Sequence, residues 1–311
     1  MGQRVAAPAP AAAVAAERSQ RLRRRRRGTL WSYGFVAPAV LLIGLVFLYP
    51  IVQVIRYSFY AGSTSALTYV GTANYRNVVH DPVFVHSIVN NLKLLLTVPV
   101  MTALALGIAL LLNAGVRGWR AYRAIVFLPY ILPATAVGLT FSFLLQRNGV
   151  LNTLLRDVGL GALAFDWLGS ARWVVPSIGA VVIWQQLGFG VVIFTAALLA
   201  LPGEVTEAAL LDGATPWQAQ RLILIPQIRN IIEFFVVLEA ITVLSQIFNY
   251  VYVLTGGGPG NASSVMEFYI WKNGFSLGSV GVASTVAVML LAGTAVLIAF
   301  YMRLRARHAE V

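Results

Sequence analysis

The chain has 311 residues, 59% of them hydrophobic and only 11% charged, with a formal net charge of +12 and no cysteine. So large an apolar share exceeds what the core of a soluble domain of this length needs and points to a membrane protein. The lack of cysteine excludes disulfides and thiolate metal sites, and His80, His86 and His308 are too scattered to form a ligand set, so no metal and no cofactor is expected.

Residues 1–16 are mostly Ala and Pro with almost no large apolar side chain, and such a segment cannot bury enough surface to fold. A disordered basic tail is therefore expected over 1–30, with arginines at Arg4, Arg18, Arg21 and the run 23–27. A bilayer core about 30 Å thick needs about 20 apolar residues in a helix, and such stretches fall at roughly 33–57, 88–112, 123–145, 174–200, 230–254 and 279–302. The basic tail followed by apolar 35–49 also resembles a signal peptide, but the small-residue cleavage pattern is missing, which leaves an uncleaved first span. The stretches 104–112 and 286–299 are continuously apolar, whereas barrel strands would alternate in polarity. The expected fold is all-α: a transmembrane domain over 31–302 with six helices, followed by a short tail, 303–311.

Placing the N terminus in the cytoplasm puts the tail arginines with Arg117, Arg120, Arg123, Arg221, Arg229, Arg303, Arg305 and Arg307 on one side. The loops of the other side keep Arg76, Arg147, Arg156, Arg172 and Lys272. Cytoplasmic loops carry the excess of Lys and Arg, so both termini are expected inside. The arginine run then needs no nucleic-acid partner, and contact with anionic membrane lipid is the further role open to it.

The outward loops, 58–87, 146–173 and 255–278, are too short for a separate enzyme domain. The inward connections are short apart from 201–229, which reads as helix, turn, helix. Pro202 suits a first helical turn, where its missing N–H has no partner, and Gly213 suits the left-handed position that closes a helix. Thr215 and Gln218 have the spacing of a capping box that restarts one. Glu207 beside Ala208 and Ala209 sets a charge next to minimal side chains that let another helix come close. From these residues alone the hairpin either packs on its own bundle or docks into a partner's groove.

At this loop the chain resembles the permease subunits of binding-protein-dependent ABC importers, through Glu207-Ala208-Ala209, Gly213, Ile223 and Ile225-Pro226. Ile225 stands where the pattern has Leu. The resemblance to the sugar-permease branch, of the maltose-transporter first-permease type, continues at Tyr69-Val70-Gly71 with Asn74-Tyr75, Phe127-Leu128-Pro129 with Pro133, Gly149-Val150-Leu151-Asn152, Leu201-Pro202 and Thr255-Gly256-Gly257-Gly258-Pro259. It implies a type I importer permease in the inner membrane that pairs with a second, related permease, two cytoplasmic ATPase subunits and an external solute-binding protein. It also implies a sugar, polyol or glycerol phosphate as solute, and a coupling role toward the ATPase for Glu207, Ala208, Ala209, Asp212, Gly213 and Ala214. The chain carries no phosphate-binding loop, since Gly256-Gly257-Gly258 is not followed by Lys and Ser or Thr. ATP hydrolysis is accordingly expected on other subunits.

Polar side chains inside a membrane usually face the bundle interior or water. Glu239, Thr242, Gln246 and Asn249 recur at helical spacing along the fifth span, and Gln185 and Gln186 lie at a similar depth in the fourth. Together they are candidates for the translocation path, the alternative being hydrogen bonds between neighbouring helices. Glu233 lies near the cytoplasmic boundary, within reach of Arg229. Pro99, Pro129 and Pro133 interrupt apolar helices and permit kinks. An ion-coupled secondary transporter would use intramembrane carboxylates or histidines as relays, yet Glu239 is the one deeply placed acid, and the Glu-Ala-Ala loop would stay unexplained. A membrane-embedded enzyme would need convergent nucleophile, base and metal ligands, and no His or Cys lies in any span.

Overall fold

The structure is a computed structural model that describes residues 35–63, 66–113 and 118–309. The expected disordered tail, 1–30, and Arg117 lie outside the described residues. The chain divides into two compact units, Met1–Arg56 and Tyr57–Val311. The first span, Phe35–Tyr57, falls almost wholly in the smaller unit and widens into a π-helical turn over Gly44–Leu48. All that follows concerns the larger unit.

Among the described residues, five helices are long and apolar enough to cross a membrane, and six when one bent pair is counted as a span. The second, Pro82–Asn113, starts earlier than the hydropathy predicts, because its start is fixed by capping. The Asp81 carboxylate accepts from the Val83 N–H at 2.8 Å, and Pro82 occupies the first turn, where no N–H is needed. The expected outward loop 58–87 therefore holds structure of its own. Strands β1 (Tyr60–Ser63) and β2 (Ala66–Tyr69) form an antiparallel hairpin with Tyr60 opposite Tyr69, followed by the helix Ala73–Val79. The Asn74 amide donates to the Ser58 and Tyr60 carbonyls at 2.9 and 2.8 Å and pins the hairpin to that helix.

The third span is not the single kinked helix that the apolar run 123–145 implies. It consists of Trp119–Ile131 and Ala134–Leu144, turned 94° to one another. Proline biases the residue before it away from the helical region, and Leu132 and Pro133 are both extended, with ψ of 141° and 134°. The helix is therefore interrupted at Leu132 and Pro133, and the two halves meet at a corner.

The fourth span, Val174–Leu199, is the central helix of this unit and packs along Thr97–Asn113, Trp119–Ile131 and the fifth span, Arg229–Leu254. Its packing is made close by glycine. A Cβ on Gly188 would collide with the Val126 carbonyl oxygen, and one on Gly190 would lie 2.7 Å from Ala105 and from the Phe235 ring. One core cluster gathers Val98, Ile178, Val181, Val243, Ile247 and Val251, and a second gathers Met101, Ala105, Val191, Phe194 and Phe235. The sixth long helix, Val280–Ala309, packs on β1 and on Ala73–Val79.

Outside the spans, residues 262–266, just after the Thr-Gly-Gly-Gly-Pro segment, are clamped onto the second span. Asn90 donates to the Ala262 and Ser264 carbonyls at 2.8 and 2.9 Å, Ser87 to the Ser264 hydroxyl at 2.9 Å, and Asn91 Oδ1 accepts from the Met266 N–H at 2.8 Å. Glu267, on the short helix Met266–Trp271, accepts from Asn91 at 3.1 Å, and burial pushes its carboxyl up to about 7. Asn152 organises the other outward loop, donating to the Phe165 carbonyl at 2.7 Å and accepting from the Trp167 indole at 2.8 Å.

Candidate functional site

The corner in the third span creates the chemistry of the first candidate region. A broken helix frees backbone polar groups, and at membrane depth these must find partners. The Leu132 carbonyl accepts from Gln185 Nε2 at 2.7 Å, and Gln185 Oε1 accepts from the Tyr250 hydroxyl at 2.7 Å. Gln185, near the middle of the fourth span, thus ties the corner to the fifth span and is itself 4% exposed.

Beside this tie lies a cavity of about 380 Å³. Of the six residues expected along a translocation path, Gln185, Gln186, Glu239, Thr242 and Gln246 line it, and Asn249 is not among its lining. The stripe on the fifth span continues through Tyr250 instead, because a step of four from Gln246 stays closer to one helical face than a step of three. Gln185 lines the cavity with both ends of its amide committed. Thr242 bonds its own helix, donating to the Leu238 carbonyl at 2.9 Å. Glu239 is 2% exposed, and its Oε2 has no hydrogen-bond partner among the described residues.

Aromatic rings complete the lining: Tyr130 and Phe189 stack at 4.9 Å with their planes 11° apart, and Tyr250 joins them in it. These three are absent from the candidates drawn from polarity alone. Phe189 was within reach of the same argument, four residues after Gln185 and therefore on its face. Such a pocket, part amide and hydroxyl and part ring face, suits a ligand that is polar at its edges and apolar on its flat faces.

The second region is the hairpin 201–229. Its first helix, Gly203–Leu211, closes at Gly213, whose φ is +87°, with the Ala214 N–H bonded to the Ala209 carbonyl at 3.0 Å. Pro216–Ala219 then starts with the expected capping box: Thr215 Oγ1 accepts from the Gln218 N–H at 3.3 Å, and Gln218 Oε1 accepts from the Thr215 N–H at 2.8 Å. The loop divides into a packed half and an exposed half. Its rear half is anchored, with Leu224 and Ile228 buried in the cluster around Met101 and Phe194. Its front half is free: Glu207, Ala208, Asp212 and Gly213 are exposed, Leu211 is 88% exposed and Trp217 62%. Ala214 is half-buried, and Ala209, at 7%, is turned into the hairpin. Arg229 and Glu233 pair at 2.6 Å where the fifth span begins.

Residues 100–308 match the family described as the binding-protein-dependent transport system inner membrane component. A protein of Pyrococcus horikoshii named "Probable ABC transporter permease protein" is 34% identical over 262 residues, 83% of this chain and 89% of that one. The lactose transport system permease protein LacF of Rhizobium radiobacter is 31% identical over 268 residues, 85% of this chain and 90% of that one. In three dimensions the chain is similar to a chain from the crystal structure of a bacterial ABC transporter involved in the import of the acidic polysaccharide alginate. The TM-score is 0.80 at 22% identity, covering 92% of this chain and 99% of that one, a likeness of fold. With the signature hairpin, the apolar helices and these matches together, the chain belongs to the family of inner-membrane permease components of binding-protein-dependent ABC transport systems.

Proposed function

We propose that this permease forms half of the translocation path for a carbohydrate or a closely related polyol, beside a second permease, with two ATPase subunits below and a solute-binding protein outside. The observation that carries this reading is the cavity between the third, fourth and fifth spans. It lies near the middle of the long helices, where polar groups are costly unless they serve packing or passage. Its mixture of amides, hydroxyls and stacked rings matches a sugar's rim of hydroxyls and its apolar faces. LacF, similar along most of its length, is by name a lactose permease.

In this reading the front of the hairpin 201–229 is the coupling element. Glu207, Asp212 and Gly213, exposed beside Ala208, meet the ATPase, while Ala209 and the buried Leu224 and Ile228 transmit its movement to the spans. Closure of the ATPase pair would move the hairpin as a rigid body and shift the bundle between inward and outward openings. The exposed Leu211 and Trp217 fit burial in such an interface.

The test is ATP-dependent uptake in proteoliposomes carrying the permease pair, the ATPase and the binding protein. Glu207→Ala and Gly213→Pro are expected to lose uptake together with ATP hydrolysis stimulated by the binding protein, at normal membrane insertion. Proline fixes φ near −65°, so it cannot take the turn that Gly213 makes at +87°. Undiminished uptake in both variants would overturn the coupling role.

A further inference from the structure

We propose that a groove between the second and fourth spans binds an anionic glycerophospholipid of the outer leaflet, with an acyl chain along the groove and the phosphate on the Lys93 ammonium. The groove shares no lining residue with the cavity around Gln185, and the proposal does not depend on what that cavity carries.

The groove has a volume of about 370 Å³. Leu96 and Val100 line it from the second span, and Pro176, Ala180 and Ile183 from the fourth. Steps of three and four keep each set on one face of its helix. Gly179 brings the two helices together, since a Cβ there would lie 3.0 Å from the Thr97 methyl group, and Ala180, exposed and short, leaves room between them. Thr97 also lines the groove but has no free donor, because its hydroxyl donates to the Leu94 carbonyl at 2.6 Å. The walls are therefore hydrocarbon, and the charge in the lining is that of Lys93.

The depth of Lys93 follows from the length of its helix. A hydrocarbon core about 30 Å thick takes about 20 helical residues at about 1.5 Å each. Counted back from Asn113, the inner end of the second span, that distance ends at Lys93. Both spans run inward, so Lys93 and Pro176 mark the outer end of the groove and Val100 and Ile183 its inner end. Trp173, at the outer start of the fourth span, carries the Arg172 guanidinium 5.5 Å from its ring centre, and tryptophan collects at the level of the headgroups.

Lys93 is exposed, and among the described residues the ion pair formed is that of Arg229 with Glu233, so Lys93 holds no carboxylate there. A cation at the edge of the hydrocarbon is stabilised by an anion at the same level, and a lipid phosphate brings one joined to a chain that matches the walls. A zwitterionic lipid carries its own ammonium beside the phosphate and gains less. The rival occupant is a transmembrane helix of another subunit. It would fit the apolar walls but cover Lys93 without a counter-charge unless it carried an acid. The span a second copy of this chain would offer, Phe35–Tyr57, has no Asp or Glu.

The experiment places the purified permease complex, with the full chain, in phosphatidylcholine vesicles containing a trace of phosphatidylglycerol that bears a photoreactive diazirine midway along one acyl chain. After illumination, adducts are mapped by peptide mass spectrometry. They are expected within 94–100 and 176–183, and to fall about fivefold in Lys93→Gln, the effect of losing one headgroup charge contact. Lys93→Arg should keep the native level, and Ala180→Phe, which fills the groove and leaves the charge, should abolish the adducts. A phosphatidylcholine probe with the same diazirine chain should label these residues several-fold less. Equal labelling of the native chain and Lys93→Gln, or by the two lipids, would overturn the proposal and make the groove ordinary lipid-facing surface. Unchanged labelling in Ala180→Phe would also overturn it. So would a native groove that takes no label, the result expected if a partner's helix covers it. Should Ala180→Phe fail to assemble, Lys93→Gln against Lys93→Arg decides alone, since both change an exposed side chain.

Discussion

Gly188 and Gln185 sit three residues apart on one helix and show two ways in which a single residue sets the architecture. Gly188 has no side chain because the Val126 carbonyl occupies the place of its Cβ, so the third and fourth spans approach at backbone distance. Gly188→Val is expected to destabilise the protein by about 1–3 kcal/mol through overpacking. Thermal unfolding of the detergent-solubilised complex would show it, with Gly107→Ala as comparison, since nothing lies within 4 Å of a Cβ there and the helix gains from alanine. Gln185 acts by hydrogen bonding: Gln185→Leu strands the Leu132 carbonyl and the Tyr250 hydroxyl, at about 1–3 kcal/mol for each buried group. The unfolding midpoint of Gln185→Leu should fall well below that of Gln186→Leu, and equal midpoints would refute the tie.

Among the elements, the broken third span and the hairpin 201–229 differ in how openly the sequence announces them. The hairpin is written in local chemistry. Thr215 and Gln218 form their capping box between neighbours, and Gly213 supplies a backbone conformation that other residues adopt with strain. Thr215→Ala is accordingly expected to weaken the second helix by about 1 kcal/mol and to lower the ratio of solute moved to ATP hydrolysed, measured in the same vesicles. The broken span is harder to read. Pro129 and Pro133 announce an interruption, but proline alone is compatible with a gentle kink. The angle of 94° is possible because Gln185, more than fifty residues away in sequence, supplies the donor that the Leu132 carbonyl lacks.

Over the whole molecule, the segment 262–267 is held on the second span, and Glu267 is a titratable member of that clamp. Its burial favours the neutral carboxyl over its hydrogen bond from Asn91, so the folded protein holds that proton more tightly than the unfolded chain does. The stabilisation from this group is full below about pH 4.5 and is lost as pH rises through about 7. Thermal stability compared at pH 5 and pH 8 should fall more for the native chain than for Glu267→Gln, and identical slopes would remove Glu267 from the clamp.

The sequence by itself determined the membrane class, the number and order of the spans and the signature hairpin, because these depend on apolar stretches, prolines, caps and charges that act within a few residues. The polar stripe was legible for the same reason: helical periodicity places Glu239, Thr242 and Gln246 on one face before any fold is known. Only the tertiary structure decided what that stripe faces, that Gln185 is committed to holding a corner, and that Tyr130 and Phe189 join the same cavity lining. Those outcomes depend on which helices meet and at what angle. Uniformly apolar spans leave that open to local reading, and it is settled by contacts such as Gly188 against Val126, made between residues far apart in the chain.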